Sequence, residues 1–201
     1  ACLRHRRRLG EDRGATFAQK GPGEFAVLLA VDRVDGTVGF ACGRQGIVWK
    51  TTDGGQSWVA MKTGTSEPLL ALDFLDANRG VVVGNFGTVL LTVDGGATWT
   101  ATGVVEEGED PKFNGVAWVD STTIVIVGEM GIVVRSTDGG ATWVRQDGVV
   151  DGHLFGVTAI GDGGVLAVGS DGAIAHSTDG GATWTRVDSG TDEHLFRAAV
   201  A

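Results

Sequence analysis

Short apolar runs, each ended by glycine or aspartate, fill this chain from end to end. In one representative stretch the β-rich runs cover residues 69–75, 81–83, 88–92 and 97–101, with glycine-containing turns between them. Such runs predict antiparallel strands joined by tight turns. With 34 glycines in 201 residues and no long 3.6-residue periodicity, the pattern predicts no helix.

The strand pattern is tied to a repeated motif. Asp-Gly-Gly, followed by a small or polar residue, a hydroxyl residue and tryptophan, occurs four times and begins at Asp53, Asp94, Asp138 and Asp179. These aspartates lie 41, 44 and 41 residues apart, and a decayed copy begins at Asp12. A repeat of this period indicates a propeller or solenoid, and four strands in about 40 residues make one propeller blade.

The predicted fold class is therefore an all-β propeller of four-stranded antiparallel blades, with the motif in the hairpin between strands three and four. We predict blades at residues 28–66, 67–110, 111–151 and 152–192, the end of a degenerate blade at 1–27, and the first strand of a further blade at 193–201. The chain then belongs to a larger propeller of about six to eight blades. In the alternative, a small closed ring, the two ends share one blade.

The motif itself has a structural interpretation. Its aspartate can accept backbone N–H groups within its own turn, and the hydroxyl residue two positions earlier can add a hydrogen bond. The glycines allow positive φ. The tryptophan is expected to pack between neighbouring sheets, where it buries roughly 150–250 Å².

Charge and composition exclude several functions. The net charge is −9, which disfavours nucleic acid or an anionic membrane surface as a partner. No apolar run approaches the length of about 18 residues that a membrane span needs, so we predict no direct membrane insertion. The arginines at 4, 6, 7 and 8 precede no apolar segment and are assigned to the degenerate repeat.

Cys42 aligns with Val83 and is predicted to be a buried apolar residue. No cofactor and no metal are predicted.

A binding surface is predicted on the face opposite the motifs. The turns between strands two and three keep two framing glycines and vary between them, which is where a binding surface can be encoded. The candidate partner-binding residues are Arg44, Gln45, Asn85, Phe86, Glu129, Met130, Ser170 and Asp171. The blade connections share this face, including the acidic stretch 106–111 and the equivalent histidines His153 and His194.

The motif residues from Ser177 to Trp184, preceded by Val168-Gly169-Ser170-Asp171-Gly172-Ala173-Ile174, resemble the Asp-box (BNR-repeat) β-propellers, and among these the photosystem II assembly/stability factor family. The resemblance implies a non-catalytic scaffold that binds a protein partner in an extracytoplasmic compartment. A membrane-protein assembly intermediate is one such partner that the resemblance implies. Members of that family carry arginines on the binding face. This chain departs from that pattern, since Arg44 is the one clear candidate.

A carbohydrate-active propeller is the alternative. A sialidase-like mechanism uses a tyrosine nucleophile, and this chain has no tyrosine. A two-carboxylate mechanism needs paired acids about 5–10 Å apart, and Glu129 and Asp171 on adjacent turns are the candidates. An aromatic platform beside two close acids would favour this alternative, and a flat face without a cleft would disfavour it.

Overall fold

The computed structural model describes residues 27–104 and 108–199, and these form four antiparallel sheets of four strands. Within every sheet the strands follow chain order, and the first strands of successive sheets lie side by side.

Blade 1 contains β1 (Leu28–Arg33), β2 (Gly39–Gly43), β3 (Val48–Thr51) and β4 (Val59–Met61). Blade 2 contains β5 (Leu69–Phe74), β6 (Gly80–Gly84), β7 (Val89–Thr92) and β8 (Thr100–Ala101). Blade 3 contains β9 (Phe113–Trp118), β10 (Ile124–Gly128), β11 (Val133–Ser136) and β12 (Val144–Gln146). Blade 4 contains β13 (Leu154–Gly161), β14 (Gly164–Gly169), β15 (Ile174–Ser177) and β16 (Thr185–Val187).

The hydrophobic core lies between the blades. Second strands are buried on both faces, so they are continuous apolar runs such as Val81-Val82-Val83 and Ile124-Val125-Ile126-Val127, all fully buried. Each of three apolar clusters joins one blade to the next. The predicted burial of Cys42 is confirmed: the side chain is completely buried, and desolvation raises the pKa of its thiol to about 12.

The Asp-box turns have the predicted hydrogen bonds. In blade 3, the backbone N–H and the hydroxyl of Thr142 donate to the two carboxylate oxygens of Asp138 at 2.8 and 2.6 Å. Ser136 Oγ donates to Asp138 at 2.8 Å and accepts the N–H of Gly140 at 2.8 Å. These bonds, led by that from the Thr142 hydroxyl, lower the pKa of Asp138 to about 2. Both glycines of the turn have positive φ, as expected.

Side chains from one blade also hold the turns of the next. Trp143 packs into the cluster between blades 2 and 3, as predicted for the box tryptophans, although it is only partly buried. Two cations on third strands reach the following Asp box: Lys50 Nζ donates to the Gly95 carbonyl at 3.0 Å, and Arg135 Nε donates to the Gly180 carbonyl at 2.7 Å. These bridges between blades are not evident from the amino-acid sequence.

The structure differs from the sequence predictions at two places. Three of the four turns between strands two and three are single 3₁₀ turns, at Arg44–Gly46, Glu129–Gly131 and Ser170–Gly172, where no helix was expected. The predicted first strand at 193–201 makes no strand pairing within the described residues 193–199. Nevertheless, Phe196 and Arg197 pack over Gly156 much as Gly156 and Val157 pack over Gly115. Residues 1–26 of the predicted degenerate blade, with the arginines near its start, lie outside the described residues, as do Glu106 and Glu107.

Candidate functional site

The four turns between strands two and three have one backbone shape. In each turn the residue just before the second framing glycine has its backbone in the left-handed region. Its φ is 62° at Gln45, 53° at Phe86, 53° at Met130 and 53° at Asp171. Bulky side chains rarely adopt this conformation, which favours glycine, asparagine and aspartate. The repeat therefore imposes one geometry on four different side chains.

The framing glycines explain why the geometry is constant. The first glycine of each turn lies close to the last carbonyl oxygen of the preceding connection. A Cβ added to the glycine would lie 2.0 Å from this oxygen at Gly43 and 1.9 Å from it at Gly169. The next residue donates its N–H to the same oxygen, as in the bond of 2.9 Å from Ser170 to His153. The second glycine has positive φ in every turn, and at Gly46, Gly131 and Gly172 it is packed as closely against the following connection. Turns and connections thus form one rigid face, which we call the loop face.

The predicted residues differ in exposure on this face. Arg44, Gln45, Phe86, Met130 and Asp171 are exposed, whereas Asn85 and Glu129 are partly buried. Ser170 is buried, and its Oγ accepts the N–H of His153 at 3.0 Å. It therefore supports the connection rather than presenting a surface.

Asn85 illustrates how the repeat varies at a fixed position. Its Oδ1 is buried and has no hydrogen-bond partner among the described residues. The residue equivalent to His153 in this blade is Pro68, which has no N–H to donate. The oxygen of Asn85 consequently lacks the donor that Ser170 has.

The two equivalent histidines bind turns. His153 Nδ1 accepts the N–H of Met130 at 3.2 Å, and His194 Nδ1 accepts the N–H of Asp171 at 3.2 Å. Each histidine thereby fixes the turn of the preceding blade. No group of three or more potential metal-binding side chains occurs within the described ranges.

Aromatic rings extend from these histidines across the loop face. Phe155 stacks on Phe196 with ring centroids 5.2 Å apart, and His153 lies 6.2 Å from Phe155. His194 meets both phenylalanines edge to face at 6.0 and 6.1 Å. These rings form a contiguous row, and the backbone N–H of Met130 donates to the histidine at one end of it. We refer to Met130, His153, Phe155, His194 and Phe196 as the aromatic row.

The loop face is acidic. Its described turns and connections carry ten acidic and three basic side chains. Arginines from fourth strands neutralise some of the acids: Arg145 binds Asp147 at 2.8 Å and also binds Glu109, and Arg186 binds Asp151. Glu129 and Glu193 have no basic side chain within ion-pair distance in the described part of the chain.

Two aspartates on the first strands join neighbouring blades. Asp32 Oδ2 accepts the N–H of Phe74 at 2.9 Å, and Asp73 Oδ2 accepts the N–H of Trp118 at 2.6 Å. Burial, with the charge of Asp32 nearby, raises the pKa of Asp73 to about 6. A groove of about 240 Å³ lies beside Asp73, between the first strands of blades 3 and 4.

The Asp73→Asn variant is expected to lose a pH dependence of stability. The pKa of Asp73 is about 6 in the folded chain and is about 3.8 when unfolded, so the folded state binds the proton more tightly and stability falls as pH rises from 4 to 6. An asparagine oxygen can still accept the Trp118 N–H. We expect Asp73→Asn to remove this fall and to stabilise the chain by about 2 kcal/mol at pH 7. Unfolding titrations between pH 4 and 8 measure both effects, and an unchanged slope would contradict the assignment. The Asp-box carboxylates, whose pKa values are lowered, change stability mainly below about pH 5 and do so equally in both proteins, so the difference between the wild type and Asp73→Asn isolates the contribution of Asp73.

Within the described residues, no helix is long and apolar enough to cross a membrane.

Four-stranded blades with an Asp-box turn in each outer hairpin, and a loop face opposite, define an Asp-box β-propeller protein. The family model for photosynthesis system II assembly factor YCF48 matches residues 57–192. This match covers more than half of the chain, and the chain belongs to that family. No curated protein matches it significantly.

Solved structures agree with this assignment. The chain is similar to YCF48 bound to D1 peptide, with 32% identity, a TM-score of 0.58, and coverage of 64% of this chain and 43% of that one. It is also similar to YCF48 from Cyanidioschyzon merolae, with 20% identity, a TM-score of 0.63, and coverage of 80% and 56%. An ancestral GH74 enzyme shares the fold at 17% identity, with a TM-score of 0.70 and coverage of 88% and 27%. The chain thus spans about half the length of the two YCF48 structures.

The aromatic row as a unit was not predicted from the sequence. His153 and His194 are equivalent, and Phe155 and Phe196 follow them at equal distances in their repeats. This equivalence could have indicated the row, because equivalent residues of adjacent blades lie side by side. The sequence does not, however, give the direction of each side chain relative to the neighbouring blade.

Proposed function

We propose that this chain acts as part of a non-catalytic scaffold of the photosystem II assembly factor type, which presents its loop face to a partner protein. The observation that carries the proposal is the set of four turns with one locked backbone and four different side chains. A preformed face of this kind loses little conformational entropy on binding. The relative solved with D1 peptide is a precedent for a polypeptide ligand in this family.

The finer parts of the proposal follow from family membership. We propose that the partner is a membrane-protein assembly intermediate and that binding takes place in an extracytoplasmic compartment, as the resemblance implies. We also propose that the four described blades belong to a larger propeller, with the blade boundaries given above. The packing of Phe196 and Arg197 over Gly156 supports a further first strand at residues 193–201.

A carbohydrate-active propeller is the second candidate, because the GH74 structures share the fold and because the aromatic row lies beside Glu129 and Asp171. However, both acids lie on turns. Neither Glu129 nor Asp171 lines the groove beside Trp143 or the groove beside Trp118. A glycosidase needs its two carboxyl groups to face one cleft. The geometry therefore favours the scaffold.

A matched pair of variants tests the proposal. The first replaces Arg44, Asn85 and Glu129 of the loop face with alanine. The control replaces Val93, Thr137 and Thr178, three exposed and mutually equivalent residues on the Asp-box face, with alanine. We expect extracts of the source organism to yield a protein captured by the wild type and the control, and lost with the loop-face variant at unchanged stability.

The contrary outcomes are distinct. Capture that is lost only with the control variant would place the partner on the Asp-box face and contradict the proposal. If no protein is captured and a glycan array shows binding that depends on Glu129, the carbohydrate-active candidate would replace the scaffold.

A further inference from the structure

Two turns of the loop face expose large apolar side chains that the fold does not need there: Met130 is 74% exposed and Phe86 is 59% exposed. Phe196 is 64% exposed and lies in the segment proposed as the first strand of a further blade. The positions equivalent to Met130 in blades 1 and 4 hold Gln45 and Asp171, so the turn itself does not require an apolar residue. Phe86 and Met130 also adopt a backbone conformation that is unfavourable for bulky residues. Their exposure is consistent with contact to another molecule.

The rings of the aromatic row are neighbours, and Met130 joins them through its backbone. The backbone N–H of Met130 donates to His153, the His153 ring neighbours Phe155, and Phe155 stacks on Phe196. Phe86 lies on the turn of the blade next to that of Met130. The result is a strip of rings and apolar side chains on blades 3 and 4, with Phe86 exposed on the equivalent turn of blade 2.

Acids that have no arginine or lysine partner among the described residues border this strip. Glu129 precedes Met130, Asp171 accompanies His194, and Asp192 and Glu193 lie immediately before His194. The acids that arginines neutralise, Glu109, Asp147 and Asp151, belong instead to the connections that Arg145 and Arg186 reach. The charge beside the aromatic row is therefore negative and open to a partner.

We propose that the partner segment bound by the loop face combines arginine or lysine with aromatic or aliphatic side chains. This inference rests on the proposed scaffold function and specifies the chemistry of its ligand. The apolar side chains of the segment pack on the aromatic row, where phenyl rings also attract guanidinium groups through their faces. Its cations lie between Glu129, Asp171 and Glu193. An acidic segment is disfavoured by like charge.

Random short peptides provide a probe that assumes no partner. The wild-type chain is bound to an array of such peptides, and the peptides it selects are then titrated by fluorescence anisotropy. Three variants are compared: a charge variant (Glu129→Gln with Asp171→Asn), a row variant (Met130→Ser with Phe196→Ser), and the control Val93→Ser on the Asp-box face. Val93 is 76% exposed, so it matches Met130 in exposure. Asparagine tolerates the left-handed conformation at position 171.

The selected peptides are expected to be rich in arginine or lysine and in aromatic or aliphatic residues. The charge variant and the row variant should each weaken binding about tenfold, and the control by less than about twofold. Added salt should remove the difference between the wild type and the charge variant.

Two other results are informative. Selected peptides that are acidic or uncharged, bound equally by the charge variant but weakly by the row variant, would overturn this inference and leave the scaffold proposal intact. If neither loop-face variant reduces peptide binding, or if no peptide is selected, both proposals would be wrong.

Discussion

Gly169→Ala is expected to destabilise the chain by about 3 kcal/mol or more, which is at or above the usual range for overpacking a core. A Cβ at this position would lie 1.9 Å from the His153 carbonyl oxygen and 3.1 Å from Leu154 Cα. Both neighbours are backbone atoms, so neither can move as a side chain would. Relief requires strand β13 to separate from β14, which breaks the bond of 2.9 Å from the Ser170 N–H to His153. Denaturant unfolding of the purified variant measures the loss.

Gly103→Ala is the matched control, since a Cβ there meets nothing within 4 Å. Its effect should lie within about 0.5 kcal/mol. If Gly169→Ala proves as mild as this control, the turns do not approach the connections as closely as described, and the rigid loop face on which both proposals depend would be wrong.

Trp143→Ala is the second large effect, with an expected loss of about 3 kcal/mol. The indole packs into the cluster between blades 2 and 3, so its removal leaves a gap at an interface between sheets. We place the loss at the low end of the range for tryptophan because the side chain is only partly buried. The measurement is again the free energy of unfolding.

Two further variants separate packing from hydrogen bonding at this position. Trp143→Phe should recover most of the stability, because Trp143 Nε1 has no hydrogen-bond partner among the described residues. Val144→Ala, at a neighbour that is 64% exposed, should cost no more than about 0.5 kcal/mol. A loss below about 1 kcal/mol for Trp143→Ala would indicate that the tryptophan is a surface residue and that the blade assignment needs revision.

Local chemistry made much of this structure predictable from the sequence. The Asp-box turn depends on residues within one short segment, so Ser136, Asp138 and Thr142 could be assigned their hydrogen bonds without tertiary information. The continuous apolar second strands were predictable for a related reason, since burial on both faces leaves no alternation of polar and apolar residues. The repeat period then gave the number of strands per blade.

The bonds between blades were not predictable, because they join residues about one repeat apart whose directions only the packing fixes. Lys50 and Arg135 could equally have faced solvent, yet each reaches the Asp-box turn of the next blade. Asp32 and Asp73 were inconspicuous carboxylates on apolar strands, and the structure shows that they accept backbone N–H groups across a blade interface.

The features of the candidate site likewise fall into two groups, those that the local sequence predicts and those that the packing between blades fixes. The sequence by itself determined the propeller blades, the Asp-box turns and the face on which variable residues would gather, since each of these depends on a local pattern repeated at a constant period. Only the tertiary structure decided that Ser170 is buried, that Asn85 lacks a donor, and that Phe155 and Phe196 stack into the aromatic row. Those outcomes depend on the distance and direction between adjacent blades, which a linear pattern does not encode.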